Sequence, residues 1–191
     1  LHMAQANGVP ASDVSVFDVS RQSNRVTANV SGFAGTTRIA LSDTLIQRAS
    51  TDGVREVMGH EIGHYVLRHT SSILVMLGVL IAFAFAFTHL LFGWIARGER
   101  WGVRAISDPA GMPLFFAILT FLFTVAAPIQ NNIIRYHEHQ ADIFGLNASR
   151  APDGFAETAL LLSEYRKMSP GPLELWAFYD LPSGYQRIRM A

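Results

Sequence analysis

His60 and His64 stand four residues apart, with Glu61 directly after the first, in the pattern H-E-x-x-H. On an α-helix, residues four apart lie one above the other on the same face. Two imidazole nitrogens so placed can reach one tetrahedral zinc ion. A glutamate beside them is placed to take a proton from a water that the metal activates. The competing reading is two partly exposed histidines and a solvated glutamate. A hydrolytic zinc site also needs a third protein ligand and an open fourth position. The chain has no cysteine, so disulfides, thiol catalysis and cysteine-type zinc sites are excluded, and any metal must be held by His, Asp or Glu. Residues 135–142 supply Arg135, His137, Glu138, His139 and Asp142 within one short stretch. Glu138 is the candidate third ligand and His137 and His139 are its rivals. On a helix they point about 100° to either side of Glu138, so all three cannot face one metal equally. Asp142 shares the Glu138 face and is placed to accept the free ring N–H of a zinc-bound histidine. Arg135 reads either as a surface charge or as a cation orienting a carboxylate.

These groups need elements to carry them. Val54, Val57, Met58, Ile62, Tyr65 and Val66 recur at helical spacing around the motif without a proline, and Asp52 is a candidate N-cap. Gly59 and Gly63 weaken that helix slightly but let another element approach the metal face. Upstream, residues 1–10 read as a frayed entry ended by Pro10. Residues 14–19, 26–30 and 37–41 read as three short strands joined by the turns 20–25 and 32–35, which predicts an antiparallel meander. Ser42 or Asp43 is placed to cap a helix running to about Ser50.

Downstream, residues 73–96 carry no formal charge and are dominated by Leu, Ile, Val, Ala and Phe, interrupted by Gly78, Thr88, His89 and Gly93. A helical membrane span needs about 20 such residues. Trp94 and Arg97 at its end suit an interfacial anchor. A polar loop with Glu99, Arg100, Arg104 and Asp108 follows. A second apolar run then extends from Met112 to about Ile129, the helix continuing to about residue 134, with Pro113 and Pro128 near the ends of the run. The alternative is a buried helical hairpin of a soluble protein. Two antiparallel spans over 73–96 and 112–134 would return the chain to the face it left, and so bring Glu138 to the motif helix. The charged fraction is 16%, against about 25% in soluble domains, which also points to a lipid bilayer. The formal net charge is zero, so no basic surface recommends nucleic acid. No secretory leader is legible, and the opening at Leu1 leads to the expectation of an excerpt from a longer protein.

An H-E-x-x-H helix followed later by E-x-x-x-D is the layout of the Glu-ligand zinc proteases. His60-Glu61-x-x-His64, two apolar spans and Arg135-x-x-Glu138-x-x-Ala141-Asp142 together resemble the integral-membrane zinc metalloproteases, of the type I CAAX prenyl protease and heat-shock-associated membrane protease kind. The resemblance continues through residues 38–45 and through Pro182-Ser183-x-x-x-Arg187-Ile188. It implies a mainly α, gluzincin-like fold with a small antiparallel sheet, a single peptidase domain over 1–191 interrupted by a transmembrane hairpin. It implies one Zn2+ on His60, His64 and Glu138, with Glu61 as general base, Asp142 behind the ligands and Arg187 near the site. Its substrates would be peptides or membrane proteins. Its location would be a bacterial inner or ER-type membrane with the zinc face cytosolic. Two positions depart from the family pattern. Leu181 stands where the family usually has a histidine thought to hold substrate or its developing oxyanion, and Thr27-Ala28 stands where it tends to have Asn-Ala. A catalytically weak member that binds zinc and scaffolds membrane proteins is the competing function.

Among the remaining residues, 155–168 read as an amphipathic covering helix whose face change falls at Tyr165 or Arg166, and Pro170-Gly171-Pro172 as a break. Trp176, Phe178 and Tyr179 read as core or as an apolar wall of a substrate groove. His2 and His69 read as ordinary polar residues, and His89 as an intramembrane histidine remote from the motif.

Overall fold

A computed structural model of the chain describes residues 1–32, 36–96, 102–103, 105–164 and 166–191. Most of the expected 32–35 turn, the anchor Arg97, the loop charges Glu99, Arg100 and Arg104, and Tyr165 lie outside the described residues.

The elements run α1 (His2–Ala6), β1 (Val14–Phe17), β2 (Ala28–Ser31), β3 (Arg38–Ser42), α2 (Asp43–Arg48), α3 (Thr51–Val66), α4 (His69–Ile95), α5 (Met112–Ser149), α6 (Pro152–Ser163), α7 (Pro172–Phe178) and α8 (Gly184–Met190). The fold is mainly α with a small sheet, as the sequence predicts. The sheet is not an antiparallel meander. Its order is β1-β3-β2, with β2 antiparallel to β3 and β1 parallel to it, Val14 opposite Ile39. Burial explains the order. β3 places Ile39 and Leu41 in the core, whereas three of the four β1 residues are exposed. The most buried strand takes the centre, and the stretch 18–27 serves as a crossover rather than a hairpin turn.

Ser42 caps α2, its hydroxyl accepting from the Leu45 amide. Ser50, not Asp52, caps α3, through a hydrogen bond from the Gly53 amide at 3.0 Å. Asp52 lies inside the first turn, where its charge opposes the positive end of the helix dipole. Met58 and Ile62 of α3 join Ala28, Ile39, Leu41 and Leu45 in one core. Val66 is exposed and does not join them.

The expected approach to the motif helix is made by α5. A Cβ on Gly59 would stand 2.9 Å from the Gly145 carbonyl oxygen. One on Gly145 would stand 2.9 Å from the His60 nitrogen, and one on Gly63 3.0 Å from Phe144 Cβ. Backbone therefore touches backbone where α3 and α5 cross. Gly145→Ala is expected to destabilise the protein by about 1–3 kcal/mol, since the added methyl meets main chain that cannot yield. An unchanged thermal midpoint in detergent would contradict this packing.

α4 and the helical stretch Pro109–Ser149 are both long and apolar enough to cross a membrane, with mean hydropathies of 2.4 and 2.1. Little of either is covered by protein, and Val75, Phe85, Leu90 and Phe121 are all more than 60% exposed. Phe92 and Ile118 pair the two helices through a small cluster with Val103. α5 continues unbroken through Pro128 to Ser149. Glu138 and Asp142 therefore stand on the same continuous helix as the second apolar run. His89 is exposed on α4, about 30 Å along the helix from His69, which places it remote from the motif.

The covering helix α6 begins earlier and ends earlier than expected, because Pro152 suits its first turn. Phe155 and Ala159 are its buried face. Gly171 caps α7, with Pro172 following. Trp176 and Phe178 are 52% and 79% exposed, so neither is core.

Candidate metal centre

The centre forms where α3, α5 and α8 meet. The α3 helix stacks His60 over His64, with their Nε2 atoms 3.0 Å apart and ring centroids at 4.7 Å. Glu138 of α5 closes the triangle. Its Oε2 lies 3.5 Å from His60 Nε2 and its Oε1 lies 3.4 Å from His64 Nε2. Donors at zinc bond lengths on a tetrahedron are separated by about 3.3–3.6 Å. These three residues form a cluster able to hold a metal ion. Two nitrogens and one carboxylate, all partly buried, suit zinc and leave one tetrahedral position for another group.

His139 is exposed on the opposite flank of α5. His137 is buried, but its ring stacks on His69 and its Nε2 stands 3.3 Å from the Ser72 hydroxyl. Helical geometry leaves only Glu138 of the three facing α3.

His60 Nδ1 stands 2.9 Å from Asp142 Oδ1, and Asp142 Oδ2 accepts from Arg187 Nε at 2.8 Å. Arg187 also reaches Glu138 at 3.5 Å. It is buried and rigidly presented: Ser183 caps α8 by accepting from the Gln186 amide, and Gln186 accepts from the Ser183 amide in return. Among the described residues, Arg135 orients no carboxylate. Its guanidinium donates to the carbonyls of Leu175 and Tyr179 at 2.6 Å each and to the Asn132 side chain, so it holds the end of α7.

Electrostatics separate the two motif histidines. Burial lowers the His60 imidazole, but the hydrogen bonds and charges of Asp142 and Glu138 outweigh it and raise the group to about 10. Burial pushes His64 down to about 4, and the neighbouring His60 adds to the shift. Burial raises the Glu61 carboxyl to about 7, against the attraction of His60 and a hydrogen bond from the Val30 backbone. That bond joins Glu61 to β2, an edge strand of the sheet.

A cavity of about 150 Å³ opens beside the cluster, with His60, Glu61, Glu138, Thr27 and Leu181 in its wall. Both departures from the family pattern therefore border the site. Trp176, Phe178 and Tyr179 do not line this cavity.

A family model for peptidase family M48 matches residues 1–182. The chain belongs to peptidase family M48. The M48 chain is 31% identical over 149 residues to a CAAX prenyl protease 1 homolog of Dictyostelium discoideum, covering 75% of this chain and 35% of that protein. It is 27% identical over 160 residues to an uncharacterized metalloprotease, YhfN, of Bacillus subtilis, covering 83% of this chain and 38% of that one. The crystal structure of Ste24p from S. mikatae superposes with a TM-score of 0.74 at 26% identity, over 98% of this chain and 48% of that chain. The M48 chain thus spans less than half the length of each of these relatives.

Two residues of this centre escape a reading by motif. His69 is not an ordinary polar residue: it is buried, with Nδ1 3.0 Å from His64 Nδ1. Its signal was slight, a histidine five positions past His64 at a helix break. Glu56, buried on α3, accepts from the Thr158 hydroxyl at 3.0 Å and lines the same cavity. It stands four residues before His60, so the helical period alone places it on the metal face.

Proposed function

We propose that this chain is the catalytic part of a membrane-bound zinc endopeptidase, one peptidase domain with one Zn2+ per chain held by His60, His64 and Glu138. The observation that carries the reading is the donor triangle of 3.0, 3.4 and 3.5 Å with Glu61 adjacent to it. Zinc bound there would polarise a peptide carbonyl and lower the pKa of a water near it. The chain's own residues supply the rest. Glu61 takes the proton of the attacking water and returns it to the leaving amine nitrogen. Asp142 fixes the His60 tautomer, and Arg187 holds Asp142 and Glu138 in place. The free edge of β2, tied to Glu61 through Val30, suits a substrate strand paired in extended form.

Glu138 lies about 13 Å along α5 from Ile129, where the apolar run ends. With α4 and α5 across a bilayer, the centre stands just outside the hydrocarbon, within reach of peptides or membrane proteins at the surface. Family resemblance supports the cytosolic side of a bacterial inner or ER-type membrane. The test is cleavage of a peptide by the full-length protein in detergent, with and without chelator, beside metal analysis. Cleavage that survives complete zinc removal would refute the reading.

Leu181 favours a second reading, a weak or inactive member that binds zinc and scaffolds membrane proteins, because it borders the cavity where the family pattern has a histidine. Leu181→His is expected to raise the rate. One missing oxyanion donor typically costs about 10²–10³ in rate, which bounds the gain. An unchanged rate in a folded, zinc-loaded variant would count against a transition-state role at this position.

A further inference from the structure

His69 opens α4, directly after the break at Leu67 and Arg68, where Arg68 adopts a left-handed φ of 57°. That turn folds the first residue of an apolar, membrane-length helix back over the motif. The His69 ring has polar contacts on both nitrogens: Nδ1 with His64 Nδ1 at 3.0 Å and Nε2 with Gln140 Oε1 at 3.2 Å. Its face is stacked on His137 at 4.6 Å with an interplanar angle of 14°.

With His69 neutral and the Gln140 amide turned as in the structure, these contacts admit one consistent set of protons. The Gln140 amide nitrogen donates to the Tyr136 hydroxyl at 3.1 Å, which turns the amide oxygen to His69. An oxygen acceptor there requires an N–H on His69 Nε2, which leaves a lone pair on Nδ1. That lone pair accepts from His64 Nδ1–H. The proton of His64 is thereby held on Nδ1, and its Nε2 lone pair is free on the side facing His60 Nε2 and Glu138.

We propose that His69, oriented by Gln140, is the positioning residue of His64, fixing its tautomer and ring plane as Asp142 does for His60. This deepens the zinc-site reading and rests on it. The two histidines are braced unequally. His60 leans on a carboxylate tied to Arg187, while His64 leans on a neutral imidazole rooted in the first apolar helix. The placement of that helix is therefore coupled to one metal-facing nitrogen.

The test measures zinc affinity of the full-length protein in detergent by competition with graded chelator, together with the visible spectrum of the cobalt-substituted protein. The variants are His69→Leu, His69→Asn, Gln140→Leu and His139→Ala. Loss of an outer hydrogen-bond partner of a metal-binding histidine costs about 10–100-fold in affinity, so His69→Leu is expected to weaken zinc by that factor and to alter the cobalt bands. His69→Asn restores most of the affinity, because its amide oxygen can accept from His64. Gln140→Leu gives a smaller loss in the same direction, and exposed His139→Ala gives none. A folded His69→Leu variant with wild-type affinity and cobalt spectrum would overturn the proposal. So would a loss in His69→Asn equal to that in His69→Leu, which would indicate packing alone. If His69→Leu does not fold, wild-type affinity in Gln140→Leu overturns it. A wild-type protein that holds no zinc would overturn the site reading itself, which the chelator titration distinguishes from failure at His69 alone.

Discussion

Glu61→Ala is expected to abolish detectable peptide cleavage while zinc stays bound. The side chain follows His60 on α3, but the three donor atoms that converge belong to His60, His64 and Glu138. Glu61 instead faces the cavity, with the Val30 amide on its carboxylate. Its burial holds the carboxyl at about 7, so near neutrality it can both accept and return a proton. A positioned general base contributes about 10²–10⁴ in rate, and alanine offers no substitute at that place. The measurements are turnover of a peptide substrate and metal content on the same purified sample. Wild-type turnover would remove Glu61 from the chemistry. Loss of zinc would make it a ligand.

Glu138→Ala is expected to weaken zinc by more than about 100-fold, beyond the loss from an outer partner such as Asp142, which is about 10–100-fold. Its two carboxylate oxygens lie 3.5 and 3.4 Å from the two motif nitrogens, so its removal opens one edge of the donor triangle. Among the described residues, it also leaves Arg187 with only Asp142 as a carboxylate partner. His139→Ala, on the exposed flank of α5, should leave zinc unchanged. His137→Ala should act weakly, through the ring it stacks on. These three variants and Asp142→Ala are compared by retained zinc after dialysis against graded chelator. Zinc held by Glu138→Ala but released by His137→Ala or His139→Ala would make the centre a three-histidine site.

Much of the centre was legible because it is local. The spacing of His60 and His64 becomes a shared face through the helical period, whatever the rest of the chain does. The same period puts Glu138 and Asp142 on one side of α5 and His137 and His139 on its flanks. Gly59 and Gly63 announced a close crossing, and α5 makes it at Gly145 and Phe144. The two uncharged runs announced two membrane-length helices, because hydropathy and length suffice for that.

The features that depart from the sequence reading share a physical cause. Proximity in sequence suggests a carboxylate partner for Arg135, yet it donates to the carbonyls of Leu175 and Tyr179 at the end of α7, 40 and 44 residues further along the chain. Composition lets Trp176 and Phe178 be core or groove wall, but which surfaces are covered depends on packing across the whole molecule. The pairing of β1 departs from the expected meander because a short strand carries no label of its neighbour. The competition for the buried central position, won by β3, settled it.

By itself the sequence determined the motif geometry on α3, the choice of chemistry open to a chain without cysteine, and the two apolar helices. Only the tertiary structure decided that Glu138 rather than its neighbours faces α3, that Asp142 braces His60 with Arg187 behind it, and that His69 turns back onto His64. The physical reason is range. Helical period and hydropathy act among residues a few positions apart. The hydrogen bonds that orient these side chains join α3, α4, α5 and α8, and they exist only once folding has removed water from the space between those helices.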